Sequence, residues 1–199
     1  MVRKPSPEKR SLFLSAALKL FVANGVQNTS TAAIAKEAGT ASGTLFLYFP
    51  TKQDLINQLA LEIGIEQSAY IKSILEPTHS ARQTFFTIWE GSVRWFLRNI
   101  DAYLFNQQIR HSGLVDQATI QESEKFLGYY FDAIQKGLGE GAIKPYPLEV
   151  IGGFLYQDIV AVMNLISANP DSDKFEATIQ IGFDIFWNGI KTDNTEINL

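Results

Sequence analysis

The sequence predicts an all-α protein of about nine helices, and three observations carry that prediction. Apolar residues recur at helical spacing along most of the chain, beginning with Leu12, Phe13, Ala16, Ala17, Leu20 and Phe21. Sustained period-two alternation between hairpin turns is absent, and the one Asn-Gly pair, Asn24-Gly25, follows Phe21 and Val22 as a left-handed helix terminus does. Hydrophobic residues make up 46% of the chain and charged residues 19%, enough apolar surface for a core and too little charge for a disordered chain.

The elements follow from their caps. A first helix spans about 7 to 24. Ser30 caps a short second helix to about Ala38, because its hydroxyl can accept from an otherwise orphan amide, and Gly39 ends it in a tight turn. A third short helix occupies about 41 to 48 and stops at Pro50. Thr51 and Asp54 form a capping box opening a long fourth helix to about Leu75, which Pro77 ends. Further helices are expected at about 80 to 98 (capped by Ser80), 101 to 111 (Asp101), 117 to 137, 147 to 168 and 173 to 190 (Ser172).

Two short helices on either side of Gly39 have helix-turn-helix geometry. Ile34, Ala35 and Ala38 offer a small apolar face for close crossing, while Leu45 and Phe49 can pack back onto it and onto Phe13, Ala17 and Phe21. Ser42, Gly43, Thr44, Leu47 and Tyr48 are then left to point outwards. A helix that enters a DNA groove needs such a surface, since small residues let its backbone approach base edges and hydroxyls reach phosphates. Charge agrees with this reading. Residues 1 to 52 hold seven basic and two acidic residues, net +5, and the remainder holds ten basic and nineteen acidic, net −9. Only the basic head suits a polyanion.

From residue 8 to about 56 the chain resembles the TetR family of transcriptional regulators. The resemblance runs through Ile34-Ala35-Lys36-Glu37-Ala38-Gly39, Gly43-Thr44-Leu45 and Phe49-Pro50-Thr51-Lys52, leading to Leu55. It implies that Ser30 and Thr31 contact phosphate at the start of helix two and that Lys52 binds phosphate at the head of helix four. It also implies that Thr40, Ser42, Gly43 and Thr44 approach bases and backbone, with Tyr48 replacing a histidine and keeping a polar tip for phosphate. Lys52 has a physical reason of its own, because exposed amides and the helix dipole favour an anion there. The chain departs from the family at Phe46, which lacks a tyrosine hydroxyl, at Ala41, which leaves Thr40 to cap helix three, and at Leu47 and Ala32. Leu47 can touch a thymine methyl but cannot discriminate by hydrogen bonds, so direct readout is expected to be modest and phosphates and DNA shape to carry more. Arg3, Lys4, Lys9 and Arg10 can form an arm reaching the minor groove or flanking phosphates.

The body is dense in aromatics, most of which must be core. The family resemblance implies a ligand cavity among these helices, and the candidate lining is Ile63, Gln67, Trp89, Val93, Phe96, Tyr103, Phe126 and Tyr130. Its ligand is expected to be a small, mainly apolar effector, neutral or cationic. The last two helices carry apolar residues on more than one face, which calls for burial on several sides. A symmetric four-helix dimer interface satisfies that, with Ile151, Phe154, Leu155, Val162, Phe175, Ile179, Phe183 and Phe186 as candidates and Gly152 and Gly153 allowing close crossing.

Several chemistries find no support. Without cysteine there are no disulfides, thiolate metal sites or cysteine nucleophiles. His79 and His111 have no ligand type at i, i+4 spacing, so neither a metal nor another cofactor is called for, and no catalytic arrangement can be specified. The basic start before Leu12 to Leu18 reads as an amphipathic helix, not a signal peptide, and no other uncharged run has bilayer-spanning length. The expectation is a cytoplasmic, non-enzymatic, homodimeric regulator, most simply a repressor. Its partners are double-stranded, pseudo-palindromic operator DNA and an effector that releases it, with no membrane involved. Residues 1–50 form its DNA-binding part and 51–199 its ligand-binding and dimerisation part. The alternative is a helical carrier of small hydrophobes or lipids that does not bind DNA, and loss of duplex affinity with salt separates the two.

Overall fold

Several helix ends in this protein lie where the local sequence supplies a partner for an orphan backbone group. A computed structural model describes residues 6–110, 112–168 and 174–193. Ten α-helices occur among the described residues: α1 (Pro7–Asn24), α2 (Thr31–Glu37), α3 (Ser42–Phe46), α4 (Lys52–Ile74), α5 (Ala81–Arg98), α6 (Ile100–Ile109), α7 (Gln117–Glu124), α8 (Gly128–Gly139), α9 (Leu148–Ala168) and α10 (Phe175–Ile190). Ser6 caps α1, with Pro7 beside it, and Gly25 closes the helix at φ 85°, its amide donating to the Phe21 carbonyl at 2.9 Å. Ser30 Oγ accepts from the Ala33 amide at 3.1 Å, and Gly39 turns the chain at φ 66°. The capping box of α4 is reciprocal. The Thr51 amide donates to Asp54 Oδ2 at 2.9 Å and the Asp54 amide to Thr51 Oγ1 at 3.0 Å.

Two local expectations are corrected. The segment 117–137 is two helices, separated by a 3-10 turn at Lys125–Leu127. The Phe126 carbonyl in that turn accepts from Ser68 Oγ at 2.7 Å, a tertiary partner that spacing along the chain cannot reveal. Thr40 does not cap α3. Its hydroxyl donates to the Ala35 carbonyl at 3.3 Å, and Ala41 stands at the N-cap with no side-chain bond. Ser172, Arg3, Lys4 and His111 lie outside the described residues.

The chain divides into two compact units, Met1–Glu66 with Asn99–Lys125, and Gln67–Arg98 with Phe126–Leu199. In the first, the fully buried Phe13, Phe21, Ile34, Leu45, Phe49, Leu55 and Phe105 form the core. In the second, Phe85, Trp89, Phe183, Phe186 and Trp187 make a ring cluster with centroids 5.8 to 6.5 Å apart in the pairs that touch. Trp89 Nε1 donates to the Ile179 carbonyl at 3.1 Å, so the indole's one polar atom is satisfied inside that cluster. Arg94 pairs with Glu90 on its own helix at 2.8 Å and ties α5 to α10 through Glu176 at 2.7 Å.

Helix α9 is long and apolar enough to cross a bilayer by length and composition, with a mean hydropathy of 1.5 over its best window. Its buried stripe of Ile151, Leu155, Ile159, Val162, Met163 and Ile166 is that of a core helix packed on α10 and α5.

Gly182 on α10 is where these helices approach most closely, because a Cβ there would overlap Val162 and come within 2.9 Å of Trp89. Both neighbours are buried, so neither can swing into solvent. Gly182→Ala should therefore destabilise the protein by about 1–3 kcal/mol, read as a lower midpoint in denaturant, whereas Gly189→Ala, which meets nothing within 4 Å, should not.

Candidate nucleic-acid interface

The orientation of α3 is fixed by what it buries. Leu45 is completely enclosed and Phe49 almost so, with the Phe49 ring edge-on to Phe13 at 6.4 Å. Ile34 and Ala35 of α2 are equally enclosed, and Ala38 is half-buried. Residues on the other side of α3 then face out: Ala41, Ser42, Gly43, Phe46 and Leu47 are exposed and Thr44 is half-buried. Ser42 with Phe46, and Gly43 with Leu47, are each spaced i, i+4, which makes one continuous outward stripe.

The remaining candidates lie on the segments before and after α3. Ser30 is exposed and Thr31 half-buried at the start of α2; Thr40, also half-buried, is committed to the Ala35 carbonyl. Lys52, at the first position of α4, reaches the Gln27 carbonyl at 3.3 Å. Tyr48 departs from expectation. Its ring lies 5.4 Å from that of Phe13, and its hydroxyl accepts from the Ser6 amide at 2.9 Å, leaving only its proton to donate outwards. Arg10 is drawn to α4 as well, donating to Glu62 Oε2 and Gln58 Oε1, both at 2.9 Å. Lys19 pairs with Glu37 at 2.5 Å across α1 and α2.

Two further contacts hold this head, and sequence reasoning did not find them. Gln108 of α6 donates through Nε2 to the Phe21 carbonyl and accepts through Oε1 from the Val26 amide, each at 3.0 Å, so one amide side chain brackets the end of α1. The Phe21 and Phe105 rings stack beside it at 5.9 Å. On α4, the buried Asn57 donates to Asp116 Oδ2 at 2.5 Å while Gln53 donates to the Leu114 carbonyl at 2.7 Å. Hydrogen bonds from Thr119 first, then Asn57, hold the Asp116 carboxyl below its ordinary range. The only signal in the sequence for either contact is a polar residue among apolar neighbours, which does not name its partner.

Comparison with known proteins decides what this arrangement belongs to. Residues 13–59 match the family model for bacterial regulatory proteins of the tetR family. The chain belongs to the TetR family of transcriptional regulators. Among its TetR-type relatives, the HTH-type transcriptional regulator SrpR of Pseudomonas putida is 25% identical over 72% of this chain and 68% of its own. The crystal structure of a proposed tetR-family regulator from Shewanella sp. PV-4 is similar at a TM-score of 0.86, 29% identical, covering 93% of this chain and 99% of that one. FadR of Bacillus subtilis, solved in complex with stearoyl-CoA, shares the fold at a TM-score of 0.74 and 19% identity, over 90% of this chain and 98% of its own.

In this TetR-family chain the candidate effector residues are mostly core. Ile63 and Tyr103 are buried in the first unit; in the second, Trp89, Val93, Phe96 and Tyr130 are buried and Gln67 and Phe126 half-buried. Tyr130 differs from the others. Its hydroxyl is buried and has no hydrogen-bond partner among the described residues, and burial pushes the phenol well above its ordinary value. Gly152 faces that hydroxyl, since a Cβ there would lie 3.1 Å from it, while Gly153 meets nothing within 4 Å. The close crossing expected at Gly152 is thus made within the protomer, against Tyr130.

Of the interface candidates, Ile151, Leu155, Val162, Ile179, Phe183 and Phe186 are buried inside the second unit, Phe175 is half-buried and Phe154 exposed. The outward apolar side chains of α9 and α10 are Val150, Phe154, Leu165, Ile181 and Ile185. Val150, Phe154 and Ile185 also line a groove of about 390 Å³ together with Tyr146, Asp158 and Gly189.

The bracket around α1 has a measurable consequence. Gln108→Ala leaves the buried Val26 amide without its acceptor, and stability to urea should fall by about 1–3 kcal/mol with the slope of the transition unchanged.

Proposed function

We propose that this protein is a ligand-responsive repressor that binds a pseudo-palindromic operator as a homodimer and is released by a small, mainly apolar effector. The outward stripe of α3, set by the fully buried Leu45, together with Lys52 at the first position of α4, carries this reading. Residues 1–50 act as the DNA-binding part and 51–199 as the ligand-binding and dimerisation part. Ser42, Gly43 and Thr44 approach base edges, Ser30, Thr31 and Lys52 hold phosphates, and Thr40 and Tyr48 brace the recognition helix, with the Tyr48 proton still able to reach a phosphate. Two heads on one two-fold dimer engage successive major grooves.

The exposed Val150, Phe154, Leu165, Ile181 and Ile185 support a dimer built on α9 and α10, because a stripe of this kind on two adjacent packed helices is stabilised by a second copy of itself. The unpartnered Tyr130 hydroxyl supports an effector that is apolar but carries one hydrogen-bond acceptor. A buried phenol gains most from a partner that arrives with the ligand. The acyl chain of the stearoyl-CoA held by the FadR structure is in keeping with a mainly apolar effector. Release needs only that the effector bind better to the conformation whose heads are wrongly spaced, and the continuous helix α4 is the lever that carries the difference to Lys52.

Purified protein should bind duplex DNA with an affinity that falls steeply as salt rises, through counterion release. Lys52→Ala should weaken all duplexes about equally and reduce the slope of log affinity against log salt by about 1. An unchanged slope with unchanged affinity removes Lys52 from the interface. Ile185→Glu places a charge at a position 67% exposed in the protomer, so it should leave the fold intact. It should convert the dimer to monomer in sedimentation velocity and lower operator affinity with it.

A further inference from the structure

The apolar end of the recognition stripe is unexplained by packing. Phe46 is 44% exposed and Leu47 65% exposed at the end of α3, whereas Leu45 beside them is fully buried. Two large apolar side chains held side by side in water cost free energy unless something covers them. They share their face with Ser42 and Gly43, one helical turn earlier, whose small size lets the start of α3 come close to a partner. The positively charged head to which they belong suits a polyanion rather than an apolar protein surface.

We propose that Phe46 and Leu47 are specificity-determining residues that read thymine through its C5 methyl group. The proposal rests on the operator-binding reading above and deepens it. In the major groove every base edge carries hydrogen-bond donors or acceptors, and the thymine methyl is the one apolar group. Neither side chain can donate or accept, so neither distinguishes guanine, cytosine or adenine by hydrogen bonding, but both gain from enclosing a methyl. Because α3 rises about 7.5 Å over its five residues, the Phe46–Leu47 end lies about two base steps from the Ser42 end. The methyl requirement is therefore confined to one or two adjacent positions at one end of each half-site, where thymine is demanded without any hydrogen bond to it.

The test uses the full-length protein and an operator recovered by selection from random duplexes. Deoxyuridine replaces thymidine at one position at a time, which removes the methyl and keeps every hydrogen-bonding group. Affinity should fall about fourfold at the one or two positions facing Phe46 and Leu47, the value expected for one methyl returned to water, and stay near the parent value elsewhere. In Leu47→Ala or Phe46→Ala the thymine-to-uracil ratio at those positions should approach one, whereas Thr44→Ala should preserve it. Both side chains are exposed, so their removal leaves the fold intact, and helical circular dichroism checks this. Equal binding of thymine and uracil operators throughout overturns the proposal, as does a ratio that survives in both variants. Failure to select any duplex overturns the regulator reading itself, a different outcome from selection of an operator indifferent to its methyl groups.

Discussion

Burial of Leu45, and of Phe49 against Phe13, decides which way α3 faces, and the outward surface of the head follows from it. A helix of five residues has too few internal hydrogen bonds to hold itself, so its orientation is set by tertiary contact. Enclosing Leu45 and Phe49 leaves Ser42, Gly43, Phe46 and Leu47 exposed. Rotating α3 to bury Phe46 and Leu47 instead would exchange one Phe–Leu pair for another, so the apolar area removed from water would change little, and what would be lost is the close packing that Leu45 and Phe49 have in this core. The short turn at Gly39 keeps α2 beside it, with Ile34 and Ala35 completing the same small core.

The same head is tied to elements far along the chain. Gln108 supplies both a donor and an acceptor to the end of α1, where helix geometry leaves backbone groups unsatisfied. A single side chain meeting a carbonyl and an amide at 3.0 Å tolerates little displacement, since hydrogen bonds weaken steeply with distance and angle. The Asn57–Asp116 pair does the same for α4 and the start of α7, and the low-lying Asp116 carboxyl keeps its charge, and so its hold on the α7 amides, under neutral conditions. The first unit is accordingly built from residues 1–66 together with 99–125, and a shift of α6 is felt at Phe21 and hence in the core that orients α3.

The helix ends were legible in the sequence because the physics that sets them is local. Gly25, Gly39, Ser30 and the Thr51–Asp54 box act within four residues of themselves, so composition and spacing suffice to read them. The inward face of the head was legible for a related reason: Ile34, Ala35, Leu45 and Phe49 stand out as apolar among small and polar neighbours. The break at Lys125–Leu127 was not legible, because its cause includes Ser68, more than fifty positions away. Tyr48 shows the same limit. Its type and position suggest an outward polar tip, yet the Phe13 ring and the Ser6 amide take up most of it.

Helices α9 and α10 mark the deeper boundary of what patterning can say. When a helix is apolar nearly all round, periodicity reports that every side is buried but not by what, and Phe154 and Leu155 are neighbours of similar character with opposite fates. The stripe of large, closely spaced rings, Phe183 and Phe186, goes to the protomer core because α5 offers Phe85 and Trp89 to meet it. The β-branched Ile181 and Ile185 are left outside, where Ile185 shares a groove with Phe154 of the adjoining helix. Gly182 sets this division. By admitting Val162 and Trp89 closer than any larger residue could, it turns the ring-bearing face of α10 inwards and commits the opposite face, Ile181 and Ile185 included, to the outside. The dimer proposed on that outer face would inherit its register from a glycine that never reaches the surface it organises.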